Sequence, residues 1–239
     1  PKELIHLKRG IYSLRGDLMK NIIGIGISPF SMNVCACMVV IFINNQLVRF
    51  GGDMSVGAFG IANRIVFIFV MFVMGINQGM QPIAGYNYGA QKVDRMMQVV
   101  KLSIIAATVI MILGWFLAML APRQCVSLFT TDQHLIETTV HGMRRMMLML
   151  PIVGYQMVIT NFFQCIGKVK ISIFLSLSRQ LLFLLPALAL LPIWFGLDGV
   201  WLAQPVSDFI ASVVTAWIMI VYMHKFKLQH KENQYGRQE

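Results

Sequence analysis

The last long apolar run of the sequence carries its most informative polar side chains. Gln204, Asp208, Ser212 and Thr215 follow one another at intervals of four, four and three residues. At about 100° per residue, these side chains form one polar stripe along a helix. If the helix crosses a membrane, an acid within it is costly and usually faces a cavity or a partner. The stripe therefore indicates either a functional charge or a carboxyl that a neighbouring helix holds for packing.

Arg64 is the second candidate for a charge inside the membrane. It lies about eight residues into another apolar run, counted from the end on the same side of the membrane from which Asp208 is about ten residues deep in its own run. We expect Arg64 either to pair with Asp208 or to extend its long side chain outward to the lipid headgroups.

Amide and thioether side chains interrupt the other apolar runs and are candidates to line a pathway for a small molecule. Thioethers are polarizable and adapt to varied shapes, although contact with lipid or ordinary packing is the better explanation for any single methionine. The pathway candidates are Met32, Asn33, Asn44, Asn77, Gln78, Gln81, Gln156 and Asn161. Pro29 and Pro186 are candidate hinges, because proline removes a backbone donor and favours a bend.

The composition is that of a membrane protein. Hydrophobic residues make up 57% of the 239 residues and charged residues only 13%, and the mean hydropathy is +0.68. A helix needs about 20 apolar residues to cross the hydrocarbon core. Six runs are long enough, and we predict six spans at Asn21–Val48, Val56–Ala84, Val99–Ala121, Met143–Ile166, Ile171–Phe195 and Gly199–Tyr222. Between the third and fourth spans, we expect a short helix along the membrane interface.

The basic residues predict how the spans are oriented. Loops that face the cytoplasm carry an excess of Lys and Arg. Fifteen of the twenty Lys and Arg residues fall on one side of the predicted spans. They lie near both termini and near the turns at Lys92 and Lys168, and this count places Arg179 with the turn at Lys168. We therefore predict that both termini are cytoplasmic.

Several other classes of protein are disfavoured. The positive charges form short clusters between apolar runs, which indicates membrane topology and not a nucleic-acid surface. The four cysteines, Cys35, Cys37, Cys125 and Cys165, lack the spacing of a zinc site. The H-E-x-x-H and G-x-S-x-G motifs are absent from the sequence, so we assign no catalytic residue, no metal and no cofactor.

Six stretches resemble the carboxy-terminal lobe of multidrug and toxic compound extrusion (MATE) transporters. The longest is GINQGMQPIAGYNYGAQKVDRM at residues 75–96, which resembles the end of the second span in that lobe. The others are IGISPFSMN at 25–33, SLFTTD at 127–132, FFQCIGK at 162–168, and SLSRQLLFLLP followed by FGLDGVWLAQPVSD at 176–208. Together they cover nearly the whole chain in the expected order.

The resemblance implies an all-α membrane protein with six transmembrane helices, which form one lobe of a twelve-helix, pseudo-symmetric transporter. Residues 1–20 would be the basic cytoplasmic inter-lobe linker, 21–222 the transmembrane lobe and 223–239 a cytoplasmic tail. The chain begins at Pro1 without an initiator Met, so we expect an amino-terminal lobe of the same protein as a partner. Some relatives bind the coupling cation through carboxylates at positions that we align near Cys37 and Gln156, where this chain has none.

The implied function is secondary export of amphipathic or cationic compounds, coupled to a proton or sodium gradient, in the plasma membrane of a bacterium. Coupling would then rest largely on an acid in the other lobe. Two alternatives stay open: a lipid-linked saccharide flippase of the same superfamily, and a membrane fragment that does not transport. A flippase cavity would carry more positive charge than these spans hold.

The predicted orientation can be tested by cysteine labelling. In a background without the four native cysteines, single cysteines placed near Gly52 and Gln133 should react with an impermeant maleimide added outside the cell. A cysteine near Lys92 should be protected, because the basic turn faces the cytoplasm. The reverse labelling pattern would contradict the orientation.

Overall fold

The computed structural model describes the backbone of residues 16–235 and the side chains of residues 33–224 together with Gly16, Met19 and Phe30. Every regular element in this part of the chain is a helix. The helices are α1 (Gly16–Gly89), α2 (Val93–Leu120), α3 (Pro122–Ser127), α4 (Gln133–Met146), α5 (Leu150–Cys165), α6 (Val169–Leu177), a π-helical segment (Ser178–Leu184), α7 (Leu185–Phe195) and α8 (Leu197–Tyr235). Residues 1–15 of the predicted linker and 236–239 of the tail lie outside the described residues.

Helix α1 contains the first two membrane spans. Its apolar part, Asn33–Gly89, is 57 residues long, which corresponds to about 86 Å, more than twice the thickness of the hydrocarbon core. Gly52 interrupts the helical backbone with φ 69° and ψ −176°, a conformation that a residue with a Cβ rarely adopts. The helix is thereby divided into a first arm (16–51) and a second arm (53–89). The break falls in the predicted loop between Val48 and Val56.

The remaining spans give the predicted total of six. Val93–Leu120, Val169–Phe195 and Leu197–His224 are each long and apolar enough to cross a membrane. Helices α4 and α5 together form the other span, with a bend of 57° between them. All-helical architecture with six spans is therefore confirmed.

The predicted fourth span, Met143–Ile166, is not one continuous helix. The hydropathy placed its start at Met143, but α4 ends at Met146 and α5 begins at Leu150. Pro151 in the first turn of α5 has no backbone N–H, so it cannot continue the hydrogen-bond ladder of α4. Proline is favoured in a first turn because that N–H would be unpaired in any case.

Two short helices, α3 and α4, fill the predicted interfacial segment. Asp132 caps α4, where its Oδ1 accepts a hydrogen bond of 2.9 Å from the backbone N–H of His134. One face of α4, including Ile136 and Met143, is buried against the bundle. An amphipathic helix is therefore present in this segment, and its position along the membrane interface stays a prediction.

Small residues allow the spans to approach one another closely, which is how membrane helices pack without a hydrophobic driving force. A Cβ at Gly154 of α5 would lie 2.9 Å from the carbonyl oxygen of Ala107 in α2. Gly142 of α4 supports the ring of Trp201, which is buried and also packs against Phe59 with ring centroids 5.9 Å apart. These contacts join the second arm, α4 and α8 into one core.

The G-x-x-x-G spacing of Gly75 and Gly79 is not used in the same way. A Cβ built at either glycine meets no atom within 4 Å, and both residues lie exposed on the second arm. This pair therefore makes no close helix contact within the described residues.

Gly199 closes the turn between α7 and α8, and its substitution should destabilise the lobe. A Cβ at this position would lie 2.3 Å from the backbone carbonyl oxygen of Leu191, which cannot move without displacing α7. We expect Gly199→Ala to lower the free energy of unfolding by about 1–3 kcal/mol. Thermal unfolding of the purified chain in detergent measures the effect.

Gly79→Ala is the matched control, because a Cβ there has open space and alanine favours a helix. Its melting temperature should equal or exceed that of the unmodified chain. An equal loss of stability in both variants would contradict the close approach at Gly199.

Candidate functional site: a polar cluster within the lobe

The polar stripe of α8 faces the interior of the bundle, as predicted. Asp208, Ser212 and Thr215 are all buried. Tyr155 of α5 donates a hydrogen bond of 2.8 Å to the carbonyl oxygen of Ser212, and Gln204 hydrogen-bonds Asp208 from one turn away. The stripe is therefore held by polar contacts from inside the bundle.

Asp208 pairs with Arg179 of the π-helical segment. The Arg179 guanidinium donates to Oδ1 of Asp208 over 3.3 Å, and the two side chains are 30% and 7% exposed. Next to this contact, the Ser207 hydroxyl donates a hydrogen bond of 2.8 Å to the backbone carbonyl oxygen of Arg179. The side chain and the backbone of one residue are thus both bound to α8.

The π-helical segment has a cause in the sequence. Pro186 follows it in the first turn of α7. In a regular α-helix, the proline ring would clash with the carbonyl of Leu182 and would leave that carbonyl without a donor. The helix widens before the proline, and the Leu185 N–H bonds to the carbonyl of Gln180, five residues earlier. Such π-helical turns are frequent at functional sites.

Of the two alternatives for Arg64, pairing with Asp208 is wrong, and extension to the lipid headgroups stays a prediction. Arg64 lies exposed on the second arm, while the π-helical segment packs directly on α8 and brings Arg179 to the carboxylate. Arg179 had been counted with the cytoplasmic turn after the fourth span. It lies eight residues inside the predicted fifth span, so that prediction is also corrected.

A small cavity of about 190 Å³ adjoins Arg179 and separates α5 from α6 and the π-helical segment. Its polar lining includes Gln156, Thr160, Asn161 and Gln180. Drug-sized pockets measure about 300–1,000 Å³, so this cavity suits water molecules or a small ion better than a drug. We call the polar residues of this region the polar cluster: Gln81, Gln156, Thr160, Asn161, Arg179, Gln180, Ser207 and Asp208.

The second arm of α1 reaches the polar cluster through Gln81. Its side-chain amide donates a hydrogen bond of 3.1 Å to Oδ1 of Asn161. The Asn161 amide in turn donates to the carbonyl oxygen of Met157 at 3.0 Å. Two of the predicted pathway residues are therefore in direct contact.

Two further predicted residues, Asn77 and Gln156, lie one to one and a half helical turns from the Gln81–Asn161 bond on their own helices. Both are buried, with 2% and 4% of their surfaces exposed. Neither side-chain polar atom of Asn77 nor Oε1 of Gln156 makes a hydrogen bond within the described residues. A buried polar group without a partner costs about 1–3 kcal/mol, so these amides keep hydrogen-bonding capacity that the described residues leave unused.

The remaining predicted residues lie elsewhere on α1. Asn33 and Gln78 are exposed, and Asn44 is half-buried. The backbone stays helical through Pro29, and the side chain of Met32 lies outside the described residues. Hinge motion at Pro29 or Pro186 stays a prediction.

A model of the MatE family matches residues 27–188 of the chain. The chain belongs to the MatE family. This match spans the polar cluster from Gln81 to Arg179, and it ends before Asp208. The resemblance inferred from the sequence is confirmed.

Among curated relatives, the MATE chain is 26% identical over 212 residues to the multidrug export protein MepA of Staphylococcus aureus strain MSSA476, covering 89% of the chain and 46% of MepA. It is also 26% identical over 201 residues to MepA of Staphylococcus haemolyticus, with 82% and 44% covered. The chain therefore spans about half the length of the curated relatives it matches.

Solved structures of MATE transporters share its fold. The MATE multidrug transporter DinF-BH, solved in complex with a ligand, superposes with a TM-score of 0.74 and 38% identity over 87% of the chain and 46% of DinF-BH. A MATE structure in complex with MaL6 superposes with a TM-score of 0.82 at 20% identity, over 95% and 51% of the two chains. Both matches correspond to one lobe of a longer protein.

The Arg179–Asp208 pair can be tested by a double-mutant cycle. Removal of one partner leaves the other charge buried without a counter-ion. Asp208→Asn and Arg179→Gln should therefore each lower the free energy of unfolding by about 3 kcal/mol. This value is the lower end of the range for buried pairs, because Arg179 is partly exposed. The double variant should recover most of this loss. Melting temperature in detergent and abundance in membranes are the measurements.

Arg64→Gln is the control, since Arg64 is exposed on another helix. Combined with Asp208→Asn, it should give no recovery. Recovery by Arg64→Gln, but not by Arg179→Gln, would show that Arg64 is the partner after all.

Proposed function

We propose that the chain is the carboxy-terminal half of a cation-coupled multidrug exporter in the plasma membrane. The observation that carries this proposal is a six-span lobe whose curated relatives are multidrug export proteins about twice the length of the matched region. A second lobe would complete the protein and would form the opposite wall of a central cleft.

One exposed face of the second arm is suited to form the wall of that cleft. Phe67, Met71, Met74 and Gln78 recur at intervals of four, three and four residues, and all four are exposed. This spacing places them on one helical face, while Val73 and Asn77 on another face are buried. An aromatic ring, two adaptable thioethers and an amide would accept amphipathic and cationic compounds of varied shape.

The polar cluster supports a model in which this lobe does not carry the coupling acid and the other lobe does. Its acid, Asp208, is bound by Arg179, so it acts as a fixed electrostatic attachment and not as the proton carrier. The aligned positions of the coupling carboxylates of some relatives hold Cys37 and Gln156. We therefore assign coupling by protons or sodium ions mainly to an acid of the other lobe, with Asn77 and Gln156 available to bind water or an ion.

The basic residues support a cytoplasmic location for both termini. With Arg179 assigned to the fifth span, fourteen of the twenty Lys and Arg residues still lie on one side. Lys92 in the turn before α2 and Lys168 in the turn before α6 are both exposed. These turns would lie at the cytoplasmic surface.

Export can be measured in proteoliposomes with a fluorescent cationic rhodamine dye. The chain joined to the amino-terminal lobe of its own reading frame should release the dye when a proton or sodium gradient is imposed, whereas the chain alone should insert without transporting. Transport by the chain alone, or no transport by the two-lobe protein under either gradient, would contradict the proposal.

Gln78→Lys tests the proposed cleft wall, because an added positive charge should repel a cationic dye. We expect dye efflux to fall at least tenfold, with protein abundance unchanged. Gln98→Lys is the matched control on α2, where Gln98 is also exposed, and it should retain efflux. Equal efflux in the two variants would place the pathway elsewhere.

A further inference from the structure

A second cavity lies away from the polar cluster, between the end of α2, α3 and α4. Its volume is about 730 Å³. Leu120, Ile136, Val140 and Leu148 provide apolar walls. We call this cavity the α2–α4 groove.

Three arginines surround the α2–α4 groove. Arg123 pairs with Glu137 over 3.5 Å, and Arg145 pairs with Asp198 over 3.1 Å. Arg144 is exposed and takes part in none of the ion pairs found among the described residues. The groove therefore has a positively charged rim with one guanidinium that is open to an anion.

The α2–α4 groove lies where a membrane span ends. Helix α2 has no charged residue from Leu102 to its end at Leu120, which is 80% exposed at the edge of the groove. At this depth, leucine side chains contact acyl chains, and arginines can extend to the level of the phosphates. Apolar walls below and guanidinium groups above match an amphipathic anion.

We propose that the α2–α4 groove binds an anionic phospholipid. Arg144 contacts the phosphate, Arg123 adds positive charge to the rim, and Leu120, Val140 and Leu148 contact the upper part of an acyl chain. A cationic compound is disfavoured by the charged rim, and a free anion would leave the apolar walls unused. The inference depends on the membrane-spanning fold and not on the proposed transport activity.

The test uses the 239-residue chain, purified in detergent and exposed to phosphatidylglycerol or phosphatidylcholine. Native mass spectrometry should show that phosphatidylglycerol is retained in preference to phosphatidylcholine. Because each cation near a charged headgroup contributes modestly, Arg144→Gln should weaken phosphatidylglycerol binding by about fivefold, and Arg123→Gln combined with it by more. Arg144 is exposed, so this variant should fold normally.

Arg64→Gln is the matched control, because it removes an exposed arginine that does not line the groove; its phosphatidylglycerol binding should not change. Val140→Asn should also weaken binding if an acyl chain occupies the groove. Equal retention of the two lipids, or an equal loss in Arg64→Gln and Arg144→Gln, would overturn the proposal. Full competition by soluble glycerol 1-phosphate would overturn the assignment to a lipid.

Discussion

Polar groups inside a bilayer have no water to bind, and each one must find a partner within the protein. The contact between the fifth and sixth spans provides partners for the charges of Arg179 and Asp208 and for the backbone carbonyl of Arg179. Asp208 binds the Arg179 side chain, and Ser207 binds the Arg179 backbone. The unusual backbone of the π-helical segment is what presents both groups of Arg179 to α8. The packing of these two spans follows from that contact.

The same requirement separates two kinds of polar residue in the lobe. Gln81 and Asn161 bind each other and join the second arm to α5, so their role within the lobe is structural. Asn77 and Gln156 are as deeply buried but keep polar atoms without a partner among the described residues. The second kind keeps hydrogen-bonding capacity that no described residue uses.

Hydropathy and the spacing of basic residues were sufficient to predict six spans, because both depend on local composition. The buried stripe on α8 was also predictable from its periodicity. The partner of Asp208 was not, since Arg64 and Arg179 each lie about 12 Å into a span, from opposite ends, and their long side chains leave both within reach of Asp208. What distinguishes them is which helix packs against α8, a property of the assembled bundle. The adjacency of the fifth and sixth spans in sequence was the available signal for Arg179.

Two further features of the lobe do not follow from composition or spacing. Pro151 ends the hydrogen-bond ladder of α4 and breaks the helix within the fourth span, a break that average hydropathy does not reveal. Gly75 and Gly79 have the spacing of a helix contact but face away from every neighbour in the described part of the lobe. Spacing defines a face of a helix, and only the packing determines what that face meets.

The turn at Gly199 has a mechanical consequence for α7. Gly199 holds α8 against the backbone of Leu191, and Ser207 and Asp208 hold it against Arg179. Along α8, these two attachments are about 12–14 Å apart. A helix that contacts its neighbour at one point can rotate about that contact, whereas two separate contacts prevent this rotation. Pro186 lies between the two attachments, so any bend at this proline must carry the sixth span with it.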